Sequence, residues 1–289
     1  MRLMTIPYPC YTHGMEKLLF GTSGIPPSTN PPTTADGIRR IAALGLDCME
    51  LAFVRGVYLN KAEAGAVSGV ARNNGIRLSA HAPYYLNFNS RDDKKRHASQ
   101  GILRNTAYIS HLCGVQDVVF HPGFYMGDPP EQVFQTIKSA IGSVLDQLAE
   151  EDNAITLRPE VSGKFSQFGT VDETIRLAQE LPHLAPCVDF AHWHARGNFN
   201  SYGEFTGVLK DLEKKLGRAA LESVHFHVSG IDYNKYGERK HLPLRASDLK
   251  YEELLRAFKD YDIKGTIICE SPNPEEDALL LKETYEKMA

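Results

Sequence analysis

The sequence is short of positive charge. Its 32 lysines and arginines are outnumbered by 36 aspartates and glutamates, for a net charge of −4. The chain as a whole is therefore no basic platform that grips nucleic acid by charge alone, although local basic loops stay open. Cysteine is scarce too. There are five, an odd number with no CxxC spacing, and three of them sit in apolar, strand-like runs. They read as reduced, mostly buried thiols of a cytoplasmic protein rather than a disulfide framework. No apolar run reaches membrane-spanning length and no secretory signal is visible, so no membrane partner is expected. A glycine-rich loop behind the first apolar run is also missing, which counts against an open, doubly wound, dinucleotide-binding sheet.

What is present is an alternation. With 289 residues, 42% of them hydrophobic, the chain can bury one large core without covalent support. Residues 1–14 do not fit the pattern and read as an N-terminal extension; a chain beginning at Met15 is expected to fold without it. From 15 to 289 the reading is one domain. Apolar strand-like runs fall at 18–23, 47–53, 77–82, 117–121, 154–160, 186–190, 223–229 and 265–270. Helical patterns follow them at 33–44, 61–74, 93–113, 130–150, 171–181, 202–216, 248–260 and 274–288. Eight strand–helix units in about 270 residues predict an α/β fold, a single (β/α)8 TIM barrel with its site at the carboxyl ends of the strands. A monomer is expected.

The carboxyl ends repeat a theme. One run ends at His81, in His81-Ala82-Pro83-Tyr84-Tyr85, and the next at His121-Pro122-Gly123. The fifth ends at Glu160, the sixth at Asp189 with His192 three residues on. The seventh passes through His225-Phe226-His227 and the eighth ends at Glu270. A single histidine near a strand end is more often a hydrogen-bonded structural residue than a ligand. A carboxylate beside an apolar strand is different, because burying it without a partner or a cation is costly. Basic residues are few there: Arg158 stands two before Glu160, and none directly precedes Asp189 or Glu270. Imidazoles mixed with carboxylates are the donor set for Zn2+, Mn2+ or Fe2+. The candidates, with His241 included, suffice for two cations or three, and a bridging carboxylate with paired cations suits in-line phosphoryl displacement.

His81-Ala82-Pro83-Tyr84, Phe120-His121-Pro122-Gly123, Asp189-Phe190-Ala191-His192 and the terminal-strand Glu270 resemble the signature segments of the endonuclease IV family. These are zinc-dependent apurinic/apyrimidinic endonucleases on a xylose-isomerase-like barrel, and order and spacing match from about residue 18 to 280. The resemblance implies a divergent member, a phosphodiesterase that cleaves DNA 5′ to abasic sites by metal-activated hydroxide. It implies one zinc on His81 and His121, and Glu160 bridging to a second zinc completed by Asp189, His225 and Glu270. A third would lie on His192 and His241. Glu160 and Glu270 would be the catalytic carboxylates, with Tyr84 near the DNA.

Two features depart from the family. Arg239 stands where its Asp-x-His pair carries the aspartate, and His225-Phe226-His227 differs from its usual strand end. Two zinc sites are therefore expected to fill first. The third is expected to be weak or empty, or to recruit Glu238, His227 or Asp232 by a changed loop path. Arg55 is a candidate DNA contact, and Glu50 a barrel-interior or ligand-supporting residue. Lys164, Gln167 and Arg196 lie on predicted active-face loops as candidate phosphate contacts. Trp193 reads as packing. The alternative reading is a sugar isomerase or epimerase on the same metal barrel, with a small sugar as substrate; a third is a barrel that binds metal or sugar without turnover.

Overall fold

The structure is a computed structural model that describes residues 15–288; the expected extension at 1–14 lies outside the described residues. Eight short runs, buried on both faces, form one parallel sheet, as strands covered by helices outside and side chains inside require. They are β1 (Leu18–Ser23), β2 (Cys48–Ala52), β3 (Arg77–His81), β4 (Asp117–Phe120), β5 (Thr156–Pro159), β6 (Val188–Asp189), β7 (Val224–Val228) and, after an inserted pair of strands, β10 (Gly265–Cys269). Their order is β5-β4-β3-β2-β1-β10-β7-β6. The ring closes between its two ends, where Cys187 N donates to Pro159 O at 3.0 Å and Val161 N to Cys187 O at 2.9 Å. The fold is the expected (β/α)8 barrel.

The outer ring holds α1 (Thr34–Ala43), α2 (Lys61–Asn74), α3 (Asp93–Leu112), α4 (Pro130–Glu150), α5 (Val171–Glu180), α7 (Tyr202–Leu216), α8 (Tyr251–Asp260) and α9 (Pro274–Lys287). Local sequence sets their starts. Asn60 with Glu63, Thr170 with Glu173 and Ser201 with Glu204 form capping boxes that satisfy the first free amides of α2, α5 and α7. Pro130 and Pro274 open α4 and α9, where a missing N–H costs nothing. Cys48, Cys113, Cys187 and Cys269 are buried and free. Among the described residues no helix is long and apolar enough to cross a membrane.

Two elements were absent from the sequence reading. A short helix, α6 (Phe190–Gly197), begins directly at the end of β6, and a hairpin of β8 (Gly230–Asn234) and β9 (Gly237–Leu242) follows β7. Both lie at the carboxyl mouth. The α6 start was encoded in Asp189, whose carboxylate caps the helix by accepting from His192 N at 2.7 Å. The hairpin turns at Lys235-Tyr236, flanked by Asn234, whose Oδ1 accepts from Tyr236 N at 2.8 Å, and by Gly237 at φ +96°.

Candidate metal centre

Inward-facing polar residues lie at three levels of the barrel. At the floor, Asp117 accepts from Arg158 Nε at 2.6 Å and from Arg77 Nη2 at 2.9 Å. At mid-height, Glu50 accepts from Ser79 Oγ at 3.0 Å and meets His225 Nε2 at 2.9 Å. At the mouth, Glu160 is fully buried among imidazoles. Its Oε2 lies 3.0 Å from His81 Nε2 and 3.1 Å from His121 Nε2, and its Oε1 lies 3.2 Å from His192 Nδ1 and 3.3 Å from His227 Nδ1.

The mouth resolves into three sets of potential ligand atoms, each set within 4.8 Å: His81, His121 and Glu160; Glu160, Asp189, His227 and Glu270; and Asp189, His192 and His241. Glu160 belongs to the first two and Asp189 to the last two, so the sets form a chain. Asp189 Oδ1 caps α6, which leaves Oδ2, 3.3 Å from His192 Nδ1, free of the cap. His192 follows one turn into α6 and looks across to β9, its Nε2 3.2 Å from His241 Nε2. His241 is held from behind, with Nδ1 3.0 Å from Glu270 O.

One expected residue is elsewhere. His225 does not join Asp189 and Glu270; His227 does, with Nδ1 3.5 Å from Glu270 Oε2. The two histidines share a strand face, but a rise of about 3.3 Å per residue leaves His225 ~6.6 Å deeper. Register confirms the level, since His227, not His225, stands beside Asp189. His225 instead lies with Glu50 and forms a separate buried set with Cys187 and His227. Glu50 reaches both levels, because its Oε1 is 3.3 Å from His227 Nε2. Tyr84 and Arg55 are exposed on neighbouring loops at the rim, tied by Tyr84 N donating to Val54 O. Lys164 is exposed on the loop after β5, Gln167 is half-buried there, and Arg196 donates to Ser162 O at 3.2 Å. Trp193 is packing: it stacks on Phe199 at 4.6 Å.

Several atoms at this mouth have no hydrogen bond inside the protein although they are buried, among them Glu160 Oε1, Asp189 Oδ2 and both nitrogens of His227. Such orphans are costly unless something else satisfies them. Burial opposes charge on Glu270, yet His227 beside it draws its pKa down to about 2. Burial pushes Asp189 up, with Glu160 and Glu270 adding to the push against the pull of His192. Burial would strip the proton from His81, but the Glu160 carboxylate more than offsets it and raises the imidazole to about 9. Burial takes His121 down to about 4 despite the same carboxylate. Protons on some imidazoles thus balance the carboxylates in the metal-free state, and a cation must displace them. The residues fit such a cation. Two ligand atoms on one tetrahedral zinc at ~2.0–2.1 Å stand about 3.3 Å apart, and the Glu160, His192–His241 and His227–Glu270 separations run from 3.0 to 3.5 Å.

Fold and site together define a (β/α)8 barrel with a candidate polynuclear cation centre at its carboxyl mouth. The profile of the family described as xylose isomerase-like TIM barrel matches residues 38–288, and the chain belongs to that family. It is 42% identical to an uncharacterized protein of Methanocaldococcus jannaschii over 273 residues, covering 94% of this chain and 98% of that protein. It is 30% identical to a probable endonuclease 4 of Akkermansia muciniphila over 176 residues, 59% of this chain and 62% of that one. Among solved structures, endonuclease IV from Thermus thermophilus superposes with a TM-score of 0.72 at 22% identity, covering 93% of this chain and 97% of that chain. A D-tagatose 3-epimerase-like protein gives 0.71 at 19% identity, with 93% and 96% covered. At these identities the two structures speak for the fold alone.

Proposed function

We propose that the chain is a divalent-cation-dependent phosphodiesterase of the endonuclease IV type that cleaves DNA 5′ to abasic sites. The observation that carries this reading is the chained site: Glu160 belongs to two ligand sets and Asp189 to two, so adjacent cations would share carboxylates. When bound, such cations supply Lewis-acid stabilisation to a phosphodiester and its leaving oxygen. His81, His121 and Glu160 would hold one; Glu160, Asp189, His227 and Glu270 a second. The chain's own work is to orient these donors. Glu50 steadies His227 from below, and the Asp189 cap fixes His192.

The rim also suits a polymeric substrate. Val54, Tyr84, Tyr85, Met126, Phe165 and Tyr236 are exposed on five different loops around the mouth, interspersed with Arg55, Lys164 and Lys235. Exposed aromatic faces beside basic side chains are what base stacking and phosphate contact use. Relatives named as probable endonuclease 4 support the same choice. The test is a duplex carrying one abasic site, incubated with protein loaded with Zn2+ or Mn2+. The expected result is a single cut on the 5′ side that leaves a 3′-hydroxyl. No cut under any loading, together with interconversion of a ketohexose and its epimer, would replace this reading with the epimerase alternative.

A further inference from the structure

We propose that Glu238 adds a second carboxylate to the third cation site of Asp189, His192 and His241, and that a β-bulge in the hairpin is what brings it there. The inference rests on the metal-centre reading above and extends it to a residue outside the three ligand sets.

In a regular antiparallel ladder, residues directly opposite share a face and neighbours along a strand alternate. On that rule Arg239 would share the face of His241, and Glu238 would point away. The hairpin is not regular. Ile231 pairs with His241, Asp232 with Lys240, and then Tyr233 pairs with Glu238, so Arg239 is the extra residue of a bulge. Counting along β8, Ile231 and Tyr233 lie on one face and Asp232 on the other. Glu238 is thereby returned to the face of Ile231 and His241, and Arg239 is left over.

Side-chain contacts agree. Ile231 packs on Ala191 and Ala195 of α6, with Tyr233 beside it, so this face looks at the helix that carries His192. Glu238 Oε2 lies 3.5 Å from His192 Nε2, the same nitrogen that stands 3.2 Å from His241 Nε2. The Glu238 carboxylate oxygen and the His241 nitrogen thus both stand next to His192 Nε2. Arg239 turns outward to Asp232, its Nη1 3.1 Å from Oδ2, so its charge is spent away from the site.

The approach is built into the backbone. Glu238 N donates to Gly163 O at 3.0 Å. A Cβ on Gly163 would lie 2.7 Å from Glu238 Cβ, 2.9 Å from its Oε2 and 3.0 Å from His192 Cδ2. Gly237, at φ +96°, would likewise drive a Cβ to 2.2 Å from Gly163 O. Two bare glycines let the hairpin close on the loop after β5 and seat Glu238 beside His192.

The experiment titrates Zn2+ into metal-free, full-length protein against a chromophoric chelator, and repeats the series with Co2+ to read its visible ligand-field bands. Wild type is expected to take three equivalents. Glu238→Gln, which keeps the shape and removes the charge, is expected to keep two and to weaken the third by at least about tenfold, on the scale of losing a supporting or direct ligand. His241→Ala should lose that same equivalent. Glu238→Asp should retain three, separating a lost charge from a misdocked hairpin, and Arg239→Ala should retain three with wild-type affinity. Three equivalents at unchanged affinity in Glu238→Gln would overturn the proposal while leaving the centre intact, as would a third equivalent lost in Arg239→Ala. Two equivalents in wild type would overturn it and leave the Glu160-bridged pair standing. No bound metal in wild type would overturn both.

Discussion

The floor and the mouth of this barrel bury charge in opposite ways. At the floor the protein supplies both signs: Asp117 sits between Arg158 and Arg77, and Arg158 also donates to Pro186 O and Ser223 O. At the mouth Glu160, Asp189 and Glu270 face imidazoles rather than guanidinium or ammonium groups, and buried oxygens are left without hydrogen bonds. The floor is complete as a piece of protein. The mouth relies on exchangeable protons or a cation to balance its carboxylates, and that difference separates a structural ion pair from a ligand set made of similar residue types.

The largest effect that breaks the comparison at the mouth is Glu160→Gln. It removes a charge shared by two ligand sets, so bound metal is expected to fall by more than one equivalent. Phosphodiesterase activity should fall by more than the roughly 10–100-fold typical of a supporting residue. Metal content by mass spectrometry and rate on the abasic duplex check this; loss of one equivalent only would show that Glu160 serves a single cation. At the floor, Asp117→Asn leaves a buried guanidinium without its charge partner and is expected to cost about 3–5 kcal/mol in urea unfolding. Metal stoichiometry per folded molecule should not change.

The floor also sets an acid limit. Burial opposes a charged Asp117, but Arg158 and Arg77 hold its carboxyl below the usual range. A depressed folded pKa means the stabilisation is present above the unfolded value of about 3.9 and is lost as pH falls below it. Urea midpoints followed downward from pH 5 should therefore drop more steeply in wild type than in Asp117→Asn.

Between the two levels, Glu50→Gln weakens the grip on His227 and should reduce metal affinity about 10–100-fold without abolishing it. An unchanged affinity in a chelator competition would assign Glu50 to packing alone. The smallest effect is at the rim. Tyr84→Ala is expected to cost about 1–3 kcal/mol of substrate binding if a base stacks there, seen as a raised KM with metal content unchanged.

The barrel was readable because eight apolar runs alternate with amphipathic stretches, a pattern that burial on both faces of each strand imposes. His81, His121, Glu160, Asp189 and Glu270 were readable because each directly follows or ends such a run. The choice between His225 and His227 was not, since residues two apart share a face and only register against Asp189 separates their depths. Glu238 could be named only as one of three substitutes for the missing aspartate, for the opposite reason. Strict alternation points it away from His241, and a bulge at Arg239 that the one-dimensional pattern does not announce reverses the face. The capping role of Asp189 was in plain view but belonged to a helix, α6, too short to register as periodicity.

The most direct measurement is anomalous diffraction at the zinc edge from crystals of the full chain grown with Zn2+. One peak is expected bounded by His81, His121 and Glu160, and a second bounded by Glu160, Asp189, His227 and Glu270, with Glu160 touching both. Empty density at these two positions, or zinc held only by Cys187, His225 and His227 deeper in the barrel, would contradict this.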